Sequence, residues 1–187
     1  MKLYLTRHGE TTLNRERKFY GSLDVSIDET GVKQARSVAQ QLADKQFTTV
    51  YISGLKRSLE TATIILNQHA PVPVIRKPGL NEMDFGAWEG LNANEIQARF
   101  PVKWQAWLDS PFKVVPTQAE GFMAFKQRVI ETVKPIINDH SQKAVLIVAH
   151  RGTLRIINQL FFPEVDYWTP QFDAGTYTLI DTEQLKA

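Results

Sequence analysis

Arginine and histidine stand side by side at the end of a short apolar run in "KLYLTRHGETTLN", residues 2–14. A proton on His8 would feel Arg7 as a like charge, so the pair favours neutral imidazole. Neutral imidazole is a nucleophile, and guanidinium is a planar phosphate ligand. A second histidine, His150, directly follows the apolar run "AVLIVA" at 144–149, and a second arginine, Arg57, follows "TVYIS" at 49–53. Taken singly, each has an ordinary reading: a structural histidine or a solvated arginine. Together, two guanidinium and two imidazole groups converging on one point would repel unless an anion lay among them. A phosphoryl group is the natural filler.

Convergence requires elements that end at the same place. "KLYLT", "TVYIS" and "AVLIVA" read as buried strands, and "VPVIR", fenced by Pro71 and Pro78, as a further one. "TYTLI" alternates as a closing strand. Helical spacing runs through "DETGVKQARSVAQQLADK", with Asp28 as N-cap and Val32, Ala35, Val38, Ala39 and Leu42 on one face. "RSLETATIILN", "GFMAFKQRVIETVKPIIN" and "TLRIINQLFF" read as helices, and "ANEIQARF" and "VKWQAWLD" as two short ones split at Pro101. Strands alternate with helices almost throughout. That predicts an α/β fold, a three-layer α/β/α arrangement around a mostly parallel sheet. Ligands of such sheets sit at the carboxyl ends of strands, where Arg7, His8, residues 53–57 and His150 fall. Helix N-terminal N–H groups after Ser53 and Gly152 are expected to add to the anion-attracting field.

Bulk properties narrow the partners. The 187 residues suit one domain, 1–187, in which the irregular, aromatic stretch 83–121 is a lid or side subdomain. The net charge of +2 gives no case for nucleic acid or an acidic membrane surface. With no cysteine, disulfides and zinc–thiolate sites are excluded. The opening apolar stretch is too short for a signal peptide, and no run approaches a membrane span. The chain is expected to be soluble and cytoplasmic.

Five blocks in order carry a family resemblance. "LTRHGETTLN", "GSLDVSIDETGVKQA", "VYISGLKRSLETA", "LNEMDFGAWEG" and "VAHRGTLR" resemble the signature segments of the histidine phosphatase superfamily, the phosphoglycerate mutase-like group. The resemblance implies that His8 is the nucleophile and forms a phosphohistidine. It implies that Arg7, Arg57 and His150 bind the phosphoryl oxygens, that Asn14 and the backbone near Gly21 add hydrogen bonds, and that Glu82 is the general acid. No metal or other cofactor is implied, and the partner is a small phosphorylated metabolite.

Two positions depart from the family pattern. Arg151 stands where a second glycine is common, and either faces solvent or adds positive charge to the pocket rim. Tyr20 stands where a small residue is common before Gly21, placed to narrow the mouth or stack on a leaving group. The substrate-gripping insertion of the mutases has no counterpart here, which favours the phosphatase branch, including the α-ribazole phosphatases. "TQAEG" at 117–121 differs from the "PGGES" often found in that last group. The leading expectation is a metal-independent phosphomonoesterase. A mutase, a non-catalytic binding module and a metal hydrolase using His8, His150 and Glu82 are the rivals.

Overall fold

The computed structural model describes residues 1–184. Five strands form one sheet in the order β3-β2-β4-β1-β5: β1 is Lys2–Arg7, β2 Thr49–Ile52, β3 Val74–Arg76, β4 Ala144–Ala149 and β5 Tyr177–Asp181. All neighbours are parallel except β5, which runs antiparallel to β1. The central strands are buried on both faces, and this is why they read as unbroken apolar runs.

The period of two sorts their side chains. Leu3, Leu5, Tyr51, Val145 and Ile147 face one layer, where they pack on Phe125, Val129 and Val133 of α6 (Phe122–Ile137) and on Leu154 and Ile157 of α7 (Arg151–Phe161). Tyr4, Val50, Ile52, Leu146 and Val148 face the other. There they meet Val38 of α2 (Glu29–Gln41) and Ala62 and Ile65 of α3 (Lys56–Leu66). The result is the expected three-layer α/β/α arrangement. Asp28 caps α2, its side chain accepting the Gly31 N–H at 2.9 Å.

Three details differ from the sequence reading. A short helix α1, Thr12–Arg15, begins four residues after His8, capped by Thr11. Strand β3 is only Val74–Arg76, an exposed edge. Within 83–121 the two short helices form as expected, α4 (Ala93–Arg99) and α5 (Pro101–Asp109), with Pro101 opening the second, and the difference lies in the aromatic residues. Trp88, Trp104 and Trp107 gather with Phe19 in a cluster of their own, the last two tryptophans stacked at 5.4 Å. Phe112 parts from them and packs on Phe122 at 4.4 Å.

The registers level the strand ends. Arg7 pairs with Ala149, Ile52 pairs with Val148, and the His8 N–H donates to the Ala149 carbonyl at 3.0 Å. The residues that follow β1, β2 and β4 therefore emerge together at the carboxyl edge.

Candidate active site

His8 leaves β1 on a turn held from two sides. The Gly9 N–H donates to Thr61 Oγ1 of α3 at 3.0 Å, and a Cβ on Gly9 would run into the Gly31 backbone of α2. The ring is 3% exposed. Its Nδ1 lies 2.7 Å from the Gly9 carbonyl oxygen, which can only accept, so Nδ1 carries the hydrogen. Nε2 is left with the lone pair.

His150 is the N-cap residue of α7 but makes no cap bond, so its ring is free to face the site. Its centroid is 5.0 Å from that of His8. The Arg57 Nε–H donates to His150 Nδ1 at 3.3 Å, and His150 Nε2–H donates to Ser53 Oγ at 2.8 Å. Burial holds both imidazoles well below their ordinary pKa. Arg7 and then Arg57 push His8 further down, and Arg57 and then His8 do the same to His150. Both rings are neutral.

Arg57, in the first turn of α3, is fully buried. Its Nη1 and Nη2 donate to the carbonyls of Leu23 (2.7 Å) and Gly21 (2.8 Å), and its Cζ lies 4.7 Å from the centre of the Tyr20 ring. Arg7 Nε is buried without a protein partner, and so is Arg151 Nε. Burial lowers the pKa of Arg7, and the charge on Arg151 lowers it further. Arg151 Nη2 meets Asp173 Oδ1 at 3.1 Å on the exposed side. Its guanidinium thus spans both settings that the sequence left open, with Nε turned inward and Nη2 at the rim. Among the described residues, neither Arg7 nor Arg57 has a carboxylate within ion-pair distance.

Glu82 is docked on the start of α7. Its Oε2 accepts the Gly152 N–H at 2.9 Å and Oε1 the Met83 N–H at 3.1 Å. A Cβ at position 152 would collide with this carboxylate, so the glycine is what lets Glu82 approach within two residues of His150. Asn14 Oδ1 accepts from the Tyr20 hydroxyl at 2.6 Å and from the Thr11 N–H at 3.2 Å, leaving its amide N–H groups to donate elsewhere.

Several expected donors are engaged differently. The Gly152 N–H goes to Glu82, and the Lys56 N–H at the start of α3 goes to Asp24 Oδ1 at 2.7 Å. A helix start attracts the nearest carboxylate, and both starts have one. The Gly21 N–H donates to Glu89 Oε1 at 2.9 Å, while its carbonyl holds Arg57, so Gly21 orients a ligand group rather than offering one. The Tyr20 phenol is tied to Thr11 and Asn14, and its ring supports Arg57 instead of facing a leaving group. Sequence reasoning gave no role to Ser53 as the partner of His150 or to Thr61. For Ser53 the signal was present, a hydroxyl directly after a buried strand.

Beside Glu82 and Arg151 a cleft of about 280 Å³ opens, walled by Phe19, Phe85, Trp107, Phe112, Phe122 and Trp168. Arg155 of α7 holds its far wall, donating to the carbonyls of Pro170 (2.8 Å) and Trp168 (3.0 Å) with its Cζ 5.4 Å from the Trp168 ring. A larger cavity, 450 Å³, lies by Met1 and His140 at the opposite end of β1, away from these groups. Among the described residues, no His, Cys, Asp and Glu side chains group in threes as metal ligands, and no helix is long and apolar enough to cross a membrane.

The family model of the histidine phosphatase superfamily (branch 1) matches residues 3–186. An adenosylcobalamin/α-ribazole phosphatase of Escherichia coli is 31% identical over 98% of this chain and 91% of its own length. A 2,3-bisphosphoglycerate-dependent phosphoglycerate mutase of Cytophaga hutchinsonii is 35% identical over 83% of this chain and 74% of its own. The crystal structure of the α-ribazole phosphatase from Shigella flexneri superposes with a TM-score of 0.91 at 32% identity, covering 97% of this chain and 90% of that one.

Proposed function

The chain belongs to the histidine phosphatase superfamily, and from that premise we propose that it is a metal-independent phosphomonoesterase that hydrolyses small phosphorylated metabolites through a phosphohistidine at His8. One observation carries this reading: neutral His8, with its lone pair at Nε2, feels the charges of Arg7 and Arg57, and among the described residues neither has a carboxylate within ion-pair distance. A phosphate dianion supplies the missing charge.

The geometry supports the following steps. Nε2 attacks phosphorus in line with the ester oxygen, and the P–O bond breaks as the N–P bond forms. Glu82 gives its proton to the departing alkoxide. Water then attacks the phosphohistidine, Glu82 takes a proton from it, and the N–P electrons return to Nε2. Arg7 and Arg57 balance charge on the phosphoryl oxygens throughout, and the neutral His150 is a further donor to them once its Nε2–H turns from Ser53, a form of stabilisation suited to a transition state with little covalent work for the protein. Arg151 adds charge at the rim, and the Asn14 amide is a further donor.

A second reading is favoured by the cleft. Its aromatic walls suit a broad, flat leaving group, so a nucleoside phosphate such as α-ribazole phosphate fits better than a small polar ester. The mutase reading predicts a positional isomer in place of free phosphate.

Acid quench during turnover of labelled p-nitrophenyl phosphate is expected to trap an acid-labile phosphoprotein. EDTA should leave the rate unchanged and orthovanadate should inhibit, because vanadate reaches the five-coordinate geometry of the transition state. Activity that vanishes with EDTA and returns with a divalent cation would overturn the proposal.

A further inference from the structure

Glu89 is half-buried, and its carboxylate is engaged by backbone alone. Oε1 accepts the N–H groups of Gly21 (2.9 Å), Ser22 (2.7 Å) and Phe85 (3.1 Å), and Oε2 accepts that of Leu23 (2.8 Å). Burial by itself would raise the pKa, but these four donors outweigh it and hold the group below the ordinary carboxylate range. A carboxylate so held has no role in giving a proton to a leaving group.

The same segment turns its carbonyls the other way. Gly21 and Leu23 oxygens accept from the two arms of the Arg57 fork. The Gly21 carbonyl and the Ser22 N–H belong to one peptide unit. That unit therefore lies head to tail between Arg57 and Glu89, its oxygen on the cation and its hydrogen on the anion. In a buried setting, hydrogen bonds chained in this way polarise one another. The third fixed donor of Arg57, Nε, rests on His150.

We propose that Glu89 is a positioning residue for phosphoryl transfer, acting on Arg57 through the peptide that joins Gly21 to Ser22. Three consecutive N–H groups lose their common acceptor when the carboxylate is removed. The 21–23 carbonyls then lose their orientation, and the fork turns away from the space in front of His8. The proposal rests on reading the site as one of phosphoryl transfer.

The test is a double-mutant cycle. Glu89→Gln keeps the shape but offers one acceptor oxygen and adds donors where donors already point. It is expected to lower kcat/KM by about 10- to 100-fold, for p-nitrophenyl phosphate and an alkyl phosphate alike, and to weaken orthovanadate inhibition in parallel. In an Arg57→Ala background the same change should matter less than about threefold. Equal losses in both backgrounds, no loss in either, or a selective loss on the alkyl ester would each overturn the proposal. Glu89→Asp keeps the charge one methylene short and is expected to show the same coupling on a smaller scale should the glutamine variant fail to fold. If neither variant folds by circular dichroism while Arg57→Ala does, Glu89 serves the fold alone and the proposal fails. Failure of the underlying reading is distinguishable, since it shows as the absence of a trapped phosphoprotein in the parent.

Discussion

The two ends of the site are built from different materials. On the phosphoryl side, His8, Arg57 and His150 are 3%, 0% and 1% exposed. His8 Nδ1 and both arms of Arg57 are aimed by backbone carbonyls, and His150 by a serine hydroxyl and Arg57. On the leaving-group side, Phe112 and Trp168 are 37% and 44% exposed, and the rings are held mainly by one another, Phe112 lying 17° from parallel with Trp168 at 5.5 Å. Groups fixed by backbone hold one geometry, as charge stabilisation demands. A wall of side chains can vary without disturbing that geometry. On the proposed reading, the contrast would let one reaction be kept while the alcohol it releases is changed.

The strongest way to break this comparison is at its rigid end. His8→Ala should abolish turnover and the acid-labile phosphoprotein for every substrate, with the fold intact by circular dichroism. Appreciable turnover by a folded variant would remove the covalent step. Glu82 lies where the two ends meet, so Glu82→Gln should separate them. Formation of the phosphoenzyme from an alkyl phosphate is expected to slow by roughly 10²–10⁴-fold, the usual range for acid assistance, while p-nitrophenyl phosphate suffers far less. Rapid-quench measurement is needed, because the proposed second step also uses Glu82, and equal losses in the first step would exclude the acid role. At the adaptable end, Trp168→Ala should raise KM by about tenfold for a bulky aromatic phosphate and leave that for glycerol phosphate nearly unchanged. A loss shared by both substrates would mean that the wall supports the catalytic groups after all.

The smallest expected effect is on stability. Both site histidines are held neutral in the native state, with pKa values below those of the unfolded chain. As pH falls through about 6.5 the unfolded chain takes up protons that the native state refuses, so stability is full above that value and declines below it. Denaturant melts between pH 8 and pH 5 should show the decline, and His150→Gln should flatten part of it. A stability that rises toward pH 5 would contradict the neutral assignment.

How much of this was legible depends on range. Strands β1 and β4 are plain in the sequence because burial on both faces forces continuous apolar runs, and their ends located His8 and His150. Helix α1 was missed because its capping residue pairs Thr11 with Asn14 instead of the more recognisable glutamate. The partners of the helix-start N–H groups were assigned wrongly for a related reason: Asp24 is 32 residues from Lys56, and Glu82 is 70 from Gly152. Glu82 and Glu89 are equivalent as letters. Only the packing shows that one meets the start of α7 beside His150, whereas the other is surrounded by four backbone donors.

The place of β1 in the sheet also governs when the site can exist during synthesis. This strand is made before the other four, yet its hydrogen-bonded neighbours are β4, which starts at Ala144, and β5, which starts at Tyr177. Among the described residues, β2, made in between, pairs with β3 and β4 and not with β1. Arg7 and His8 therefore leave the ribosome on an apolar strand whose sheet partners are still to be made, and it must wait until residues 144–149 have followed. Such distant pairing slows folding and leaves a strand open to wrong association while it waits. Ribosome-stalled chains ending before residue 144 should accordingly lack the orthovanadate protection against protease that the finished protein gains.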